Sequence, residues 1–142
     1  MVKKSVQGEV EDIKNQLKRA LADYSNLQKR FEEEKRYLVK YANATLLLKL
    51  LDVLDSLEEA GKHLQDEGLN LSIKKFKEIL ETEGVREIGA GGKKFDPNFH
   101  EAMEVLEGKE DGKIVGIVQK GYTLDDKVLR PAKVKVSKKQ NA

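Results

Sequence analysis

The chain has 142 residues, enough for one ordinary domain or for a small domain joined to an extended element. Hydrophobic residues make up 39% of the sequence and charged residues 37%, a composition too charged for one compact globule and typical of long exposed helices. Positive and negative side chains are interleaved and the net charge is only +2, so the charge does not indicate nucleic-acid binding. The absence of cysteine excludes disulfides, thiolate metal sites and cysteine nucleophiles.

The sequence also gives no sign of a membrane or secretory segment. The N-terminal stretch lacks the apolar region of a signal peptide, and the densest apolar run, residues 46–57, is interrupted by Lys49, Asp52 and Asp55. A run broken in this way cannot span a bilayer. We therefore expect a cytoplasmic protein with no membrane partner.

The first third of the chain follows a heptad pattern, and no glycine or proline occurs between Gly8 and Gly61. This pattern predicts a coiled-coil helix of about 55 residues, roughly 80 Å long at about 1.5 Å per residue. The short remainder of the chain cannot cover so long a seam, so we expect a parallel homodimer. The seam positions are Val6, Val10, Ile13, Leu17, Ala20, Tyr24, Leu27, Phe31, Glu34, Leu38, Tyr41, Thr45 and Leu48.

Residues 46–57, LLLKLLDVLDSL, carry a broader apolar face, which is typical of a helix in a bundle. Asn70 or Ser72 can cap a second helix, and Gly84 fits the left-handed position at its end. In a dimer, two such helix pairs would make a small four-helix bundle. The predicted dimerisation residues are Leu17, Leu27, Leu38, Leu47, Leu50, Leu54, Leu57, Phe76 and Leu80.

The hydrophobic period changes after the glycine-rich segment GAGGKK, residues 89–94, which we interpret as a hinge or linker. Residues 113–119 are predicted to form a short buried strand, and residues 132–137 alternate strictly, as strands do. Residues 98–107 are ambiguous by period, but their position between two turns favours a strand. The predicted fold class is α+β, divided into a coiled-coil stalk (1–45), a bundle segment (46–88) and a small all-β head (89–142).

The sequence indicates neither a phosphate-binding loop nor a metal site. A Walker loop would have glycine and a serine or threonine where this chain has Glu87 and Lys94. Zinc ligands cluster, whereas His63 and His100 are far apart in sequence. We expect His100 to hold the turn that begins at Asp96 through a hydrogen bond. With no nucleophile or oxyanion site evident, we predict no cofactor, no metal and no enzymatic activity.

The remaining charged groups have structural interpretations. Glu58–Glu59 is expected on a solvated helix face, and Asp125–Asp126 in a turn. Nucleic-acid binding through the C-terminal lysines remains an alternative, and it predicts binding that weakens steeply with salt. These lysines are Lys133, Lys135, Lys138 and Lys139.

The C-terminal motifs resemble the head domain of the GrpE family, the nucleotide exchange factors of DnaK-type heat-shock chaperones. FDP and HEA lie within residues 95–102, and QKGY and LRPA within residues 119–132. The resemblance extends over about residues 20–138. It implies a homodimer with paired long helices, a four-helix bundle and two β heads. One head would bind the chaperone's ATPase domain, open its cleft and speed ADP release.

Two positions depart from the family pattern. Asp52 stands where proline is frequent, and LDDK replaces the commoner LNGR, so that Lys127 takes the place of arginine. Lysine keeps the positive charge but loses the planar fork that makes bidentate contacts.

The resemblance also implies which residues meet the chaperone. Those expected to face the ATPase domain are Phe95, Pro97, Asn98, Val118, Lys127 and Val136; those expected to shape or border the contact are Gly121, Tyr122, Arg130 and Pro131. Gly84 would let bundle and head meet closely, so a side chain there should impair partner binding. A coiled-coil adaptor without exchange activity is the main alternative, and the motifs favour exchange over it.

Overall fold

The computed structural model describes residues 2–140, and side chains from residue 5 onwards. The chain forms two compact units, of which the first ends at Ala42 and the second begins at Asn43. The elements are α1 (Val2–Tyr41), α2 (Ala44–Leu64), α3 (Glu67–Thr82), β1 (Val85–Glu87), β2 (His100–Gly108), β3 (Ile114–Gln119), β4 (Tyr122–Leu124), β5 (Lys127–Arg130) and β6 (Ala132–Lys139). The predicted α+β class is confirmed. None of the helices in residues 2–140 is long and apolar enough to cross a membrane.

The first unit is the single helix α1, whose 40 residues extend about 60 Å at about 1.5 Å per residue. The helix predicted to continue to Gly61 is interrupted by a turn at Ala42 and Asn43. Asparagine is a weak helix former because its side chain competes for backbone hydrogen bonds. A search for glycine and proline alone therefore missed this break.

The second helix of the predicted bundle starts earlier than expected. Asp66 caps α3, because its Oδ1 accepts a hydrogen bond from the Leu69 N–H at 2.9 Å. Asn70 and Ser72, the predicted caps, lie inside the helix instead. Gly84 follows the end of α3 with a φ of +90°, which confirms the predicted left-handed position.

The strands form two three-stranded sheets. In the order β1-β4-β5 all pairs are antiparallel, whereas in the order β2-β6-β3 the central β6 is parallel to β2 and antiparallel to β3. The strands predicted from residues 98–107, 113–119 and 132–137 are confirmed as β2, β3 and β6. Buried residues of the head core are Ile88, Ala90, Ile114, Ala132, Val134 and Val136, with Phe95 and Val128 packed against them.

The glycine-rich segment 89–94 is part of the head rather than a hinge. Ala90 is buried in the core. The Gly92 N–H donates to the Ile114 carbonyl at 3.2 Å, and the Ile114 N–H donates to the Lys93 carbonyl at 2.9 Å. Because these hydrogen bonds tie the segment to β3, the interpretation as a linker was wrong.

The helix pair α2–α3 packs against the head within the second unit. Leu54, Leu80, Val85 and Tyr122 line one small cavity of about 70 Å³, where the helices meet the β1-β4-β5 sheet. Three of the predicted dimerisation residues are buried inside a single chain, which differs from the expectation that they face a partner. They are Leu47, Leu54 and Leu80. Leu50, Leu57 and Phe76 are half-buried.

Candidate functional site

The turn between residues 95 and 100 is held in a fixed shape by hydrogen bonds. The Asn98 N–H donates to Asp96 Oδ1, and the Asp96 N–H donates to His100 Nδ1, both at 2.9 Å. The other ring nitrogen of His100, Nε2, lies 3.0 Å from the Gly89 carbonyl. Since a carbonyl can only accept, this pattern defines the neutral tautomer with the proton on Nε2. The predicted role of His100 in the turn is confirmed, and Pro97 and Asn98 are exposed at its tip.

A second turn joins β4 to β5 and rests on the end of α3. Asp125, at a φ of +50°, donates its N–H to the Gly84 carbonyl at 3.0 Å. The predicted turn at Asp125–Asp126 is confirmed, and Lys127 follows it on the exposed start of β5. The position of Lys127 is therefore tied to the junction between helix and head.

The sequence-predicted contact residues fall into an exposed group and a buried group. Pro97, Asn98, Val118 and Lys127 are exposed, and Phe95 is half-buried against the core. Gly121, Tyr122 and Arg130 are buried, and Pro131 is partly buried beside them. Val136 differs from the expectation that it faces a partner. It is only 8% exposed and belongs to the head core, because it lies on the inward side of β6.

A cleft of about 530 Å³ separates α2 from the β2-β6-β3 sheet. Its helix side is charged and includes Glu59 and Lys62, whereas its sheet side includes the exposed apolar residues Met103, Ile117 and Val118. The sheet side also carries Lys120 and Lys133, so charged side chains line both walls of the cleft. Such a cleft suits a protein surface better than a small metabolite, since small-molecule pockets are predominantly apolar and enclosed.

Arg130 joins the head to α2 through ion pairs with Asp52 and Asp55. Its side chain is only 10% exposed, its Nη2 lies 2.7 Å from Asp55 Oδ1, and its Nη1 lies 3.4 Å from Asp52 Oδ1. Its Nε donates to the Lys120 carbonyl at 2.9 Å, and the guanidinium lies 5.4 Å from the centre of the Tyr122 ring. The guanidinium thus donates hydrogen bonds both to Lys120 in the head and to Asp55 on α2, which are more than 60 residues apart in sequence.

A second ion pair lies beside the first. Lys120 Nζ is 2.7 Å from Glu58 Oε2, and the Gln119 side-chain amide donates to Asp55 Oδ2 at 3.2 Å. Glu58 is only 16% exposed, so the expectation of a solvated position was wrong for it. We call the set Asp55, Glu58, Lys120 and Arg130 the helix–head joint.

The joint changes the ionisation of two groups. Burial alone would lower the pKa of Lys120, but its hydrogen bond to Glu58 and the nearby carboxylates raise this pKa above its ordinary value. Burial raises the pKa of the Tyr122 hydroxyl, and the negative charge of Glu58 raises it further. Both shifts favour the protonated form of the group.

Sequence reasoning missed the carboxylate half of the joint. Asp52, Asp55 and Glu58 recur at a spacing of three residues, which places them along one side of a helix. That spacing was the available signal, but nothing in the sequence states which side faces the head. In residues 2–140 no three histidine, aspartate or glutamate side chains are grouped as metal ligands would be.

These features define an α+β protein that holds a small β head on a helix pair and exposes the tip of a fixed turn, an arrangement typical of proteins that bind other proteins. A sequence model described as GrpE matches residues 3–138. The chain is similar to the proteins named Protein GrpE from Methanosphaera stadtmanae (44% identity over 137 residues, 92% of this chain and 79% of the relative) and Methanothrix thermoacetophila (43% over 139 residues, 92% and 77%). It is also similar to Protein GrpE from Campylobacter fetus (39% over 145 residues, 94% and 83%).

The chain belongs to the GrpE family. The expectation of a nucleotide exchange co-chaperone for a DnaK-type chaperone is thereby confirmed.

Proposed function

We propose that the chain acts as a homodimer whose β head binds the ATPase domain of its DnaK-type chaperone through the exposed residues Pro97, Asn98, Val118 and Lys127. The observation that carries this proposal is the preorganised turn of residues 95–100, whose backbone is fixed by hydrogen bonds while its tip is exposed. A rigid exposed turn binds with little loss of conformational entropy. The buried Gly121, Tyr122, Arg130 and Pro131 shape the surface from below.

The mechanism is differential binding. If the head prefers an ATPase domain whose lobes are apart, binding shifts the population towards that open state and ADP leaves faster. By thermodynamic reciprocity, ADP must weaken the complex by the same factor. No residue of this chain needs to touch the nucleotide or take part in a chemical step, so we assign it no enzymatic activity, cofactor or metal.

The proposed homodimer is supported by apolar surface that one chain leaves uncovered. In α1, Leu17, Leu27 and Leu38 are each more than half exposed. A seam of this length needs a partner helix, and a second copy supplies one in register. In α2 and α3, further apolar side chains are exposed and would line the proposed four-helix bundle. They are Leu46, Val53, Leu71 and Ile79.

We also place the protein in the cytoplasm, without a membrane or nucleic-acid partner. The interleaved charges and the net charge of +2 support this, because nucleic-acid binding depends on clustered positive charge.

The test is stopped-flow release of fluorescent ADP from a DnaK-type ATPase domain, with the full chain and its variants. We expect strong acceleration by the parent chain. Lys127→Glu should weaken binding to the ATPase domain about tenfold, since an interfacial charge reversal costs roughly 1–3 kcal/mol, with the dimer intact in sedimentation. Lys109→Glu, which reverses the charge of an exposed turn residue outside the proposed surface, is the control.

An equal loss for both lysine variants, or none for either, would remove Lys127 from the interface. No acceleration by a stable parent dimer would leave the coiled-coil adaptor as the function.

A further inference from the structure

We propose that the helix–head joint fixes the orientation of the head on its helices during exchange. The free energy of binding then opens the lobes of the chaperone's ATPase domain instead of rotating the head. This inference rests on the proposed function. In it, Asp55 and Arg130 are positioning residues, because they act through the exposed residues and need not touch the partner themselves.

The joint lies close in sequence to the exposed contact residues. Val118 is two residues before Lys120 along the same stretch of chain, and Lys127 is on the same strand as Arg130. A rotation of the head about α2 would therefore move both contact residues together. Such a rotation is opposed by the Asp55 and Glu58 ion pairs, which are less than 3 Å long and come from successive turns of α2.

The two carboxylates that meet Arg130 are not equivalent. Asp55 is 2.7 Å away and 29% exposed, whereas Asp52 is 3.4 Å away and 79% exposed. Water screens the pair made by the exposed Asp52, so this pair contributes little, whereas Asp55 is closer to the guanidinium and better shielded from water. Asp55→Asn and Asp52→Asn are therefore matched variants. Each makes the same change on the same helix beside the same guanidinium, and only the first should loosen the joint.

A loosened joint has a distinct thermodynamic signature. An ATPase domain that is already open does not have to be opened by the head, so its affinity for the variant should stay close to its affinity for the parent chain. The closed, ADP-bound domain should instead bind the variant more tightly than it binds the parent chain, because the head can rotate at the loosened joint and the lobes need not open. The factor by which ADP weakens the complex should therefore fall, and the maximal rate of ADP release should fall with it. A head that is merely unstable would lose affinity for both forms equally and leave that factor unchanged.

The experiment measures the affinity of each full-length variant for the ATPase domain by calorimetry with and without ADP, and the ADP release rate at saturating variant. The ADP factor is the ratio of the affinities measured without and with ADP. For Asp55→Asn we expect both this factor and the maximal rate of ADP release to fall about five- to twentyfold, within the usual range of coupling between sites. Asp52→Asn should match the parent. Asp55→Glu, which keeps the charge, should recover most of the loss.

Glu58→Gln, which breaks the ion pair with Lys120, is measured in parallel and should lower the same two quantities. It replaces Asp55→Asn as the test if that variant does not fold. If the parent shows acceleration and an ADP factor but the folded joint variants share both values, the positioning role is wrong and the proposed function survives. If the parent itself accelerates nothing, the proposed function has failed.

A second measurement needs no chaperone. The chain contains no cysteine, so cysteines introduced at the exposed Lys49 on α2 and Lys138 on β6 are unique sites for spin labels. In labelled chains diluted with unlabelled ones, the distance distribution should be broader for Asp55→Asn than for Asp52→Asn. Equal widths would show that the joint does not hold the head.

Discussion

Replacing Gly84 by alanine perturbs the point where the β4–β5 turn rests on the end of α3. The residue has a φ of +90°, and a Cβ atom there would lie 2.5 Å from Asp125 Oδ1 and 3.1 Å from Asp125 Cγ. The Asp125 N–H also donates to the Gly84 carbonyl at 3.0 Å. A side chain at Gly84 is therefore opposed both by its own backbone and by Asp125.

The two effects have separable magnitudes. An L-residue in the left-handed region costs roughly 1–2 kcal/mol. Asp125 can relieve the overlap because it is the flexible end of a side chain, and moving it off its preferred rotamer costs about 0.5–1.5 kcal/mol. Gly84→Ala should therefore lower the free energy of unfolding by about 1.5–3.5 kcal/mol in total.

The assay is urea unfolding of the parent, Gly84→Ala, Asp125→Gly and the double variant at one protomer concentration, because a dimer's apparent stability depends on concentration. In the Asp125→Gly background, Gly84→Ala should cost only about 1–2 kcal/mol, since the backbone effect alone remains. Gly84→Ala should also weaken binding to the ATPase domain, because Lys127 lies two residues beyond Asp125. Equal costs in both backgrounds would refute the claimed contact with Asp125.

Two further predictions concern buried parts of the head. In Gly121→Ala the new methyl group would overlap the backbone nitrogen of Ala132, which no rotamer change relieves. Urea unfolding should show a loss of about 3 kcal/mol or more, whereas Gly91→Ala, with open space around it, should stay within about 0.5 kcal/mol of the parent. The raised pKa values of Lys120 and Tyr122 mean that the native state keeps protons which the unfolded chain releases at alkaline pH. Stability from these groups is therefore complete below about pH 10 and is lost as pH rises further, by at most about 1.4 kcal/mol per pH unit for each group. Tyr122→Phe should flatten this decline in urea titrations between about pH 10 and pH 12, and an unchanged slope would contradict the assignment.

Local periodicity accounts for the parts of the fold that the sequence predicted. The heptad pattern predicted α1 because every seam residue repeats within one or two turns, and strict alternation predicted β6. The strand β2 followed from its position between turns, even though its own pattern was ambiguous. The break at Asn43 and the cap at Asp66 were missed, because several nearby residues can cap or end a helix and only the packing selects among them.

The inward side of α2 could not be predicted, because this helix has leucine or valine on most of its surface. Leu46 and Val53 are exposed, whereas the residues that directly follow them, Leu47 and Leu54, are buried. The spacing within the exposed pair is the same as within the buried pair, so periodicity cannot separate them. The choice depends on where α3 and the head pack, which involves residues distant in sequence. For the same reason Glu58, placed on a solvated face from its sequence context, proved to be buried beside Lys120.

Two of the motifs that carry the family resemblance, QKGY and LRPA, serve mainly the interior of this molecule. In the motif at residues 119–122, glutamine and lysine bind carboxylates of α2, glycine lies against the backbone of β6, and tyrosine pairs with Arg130 across the strands. The arginine of the motif at residues 129–132 completes the helix–head joint. These motifs therefore define how the head is held, and they do not constrain the exposed residues that we propose to meet the chaperone. It follows that the choice of chaperone partner should depend on positions such as Lys127 and Asn98, and that exchanging those positions between family members should move partner preference without loss of stability.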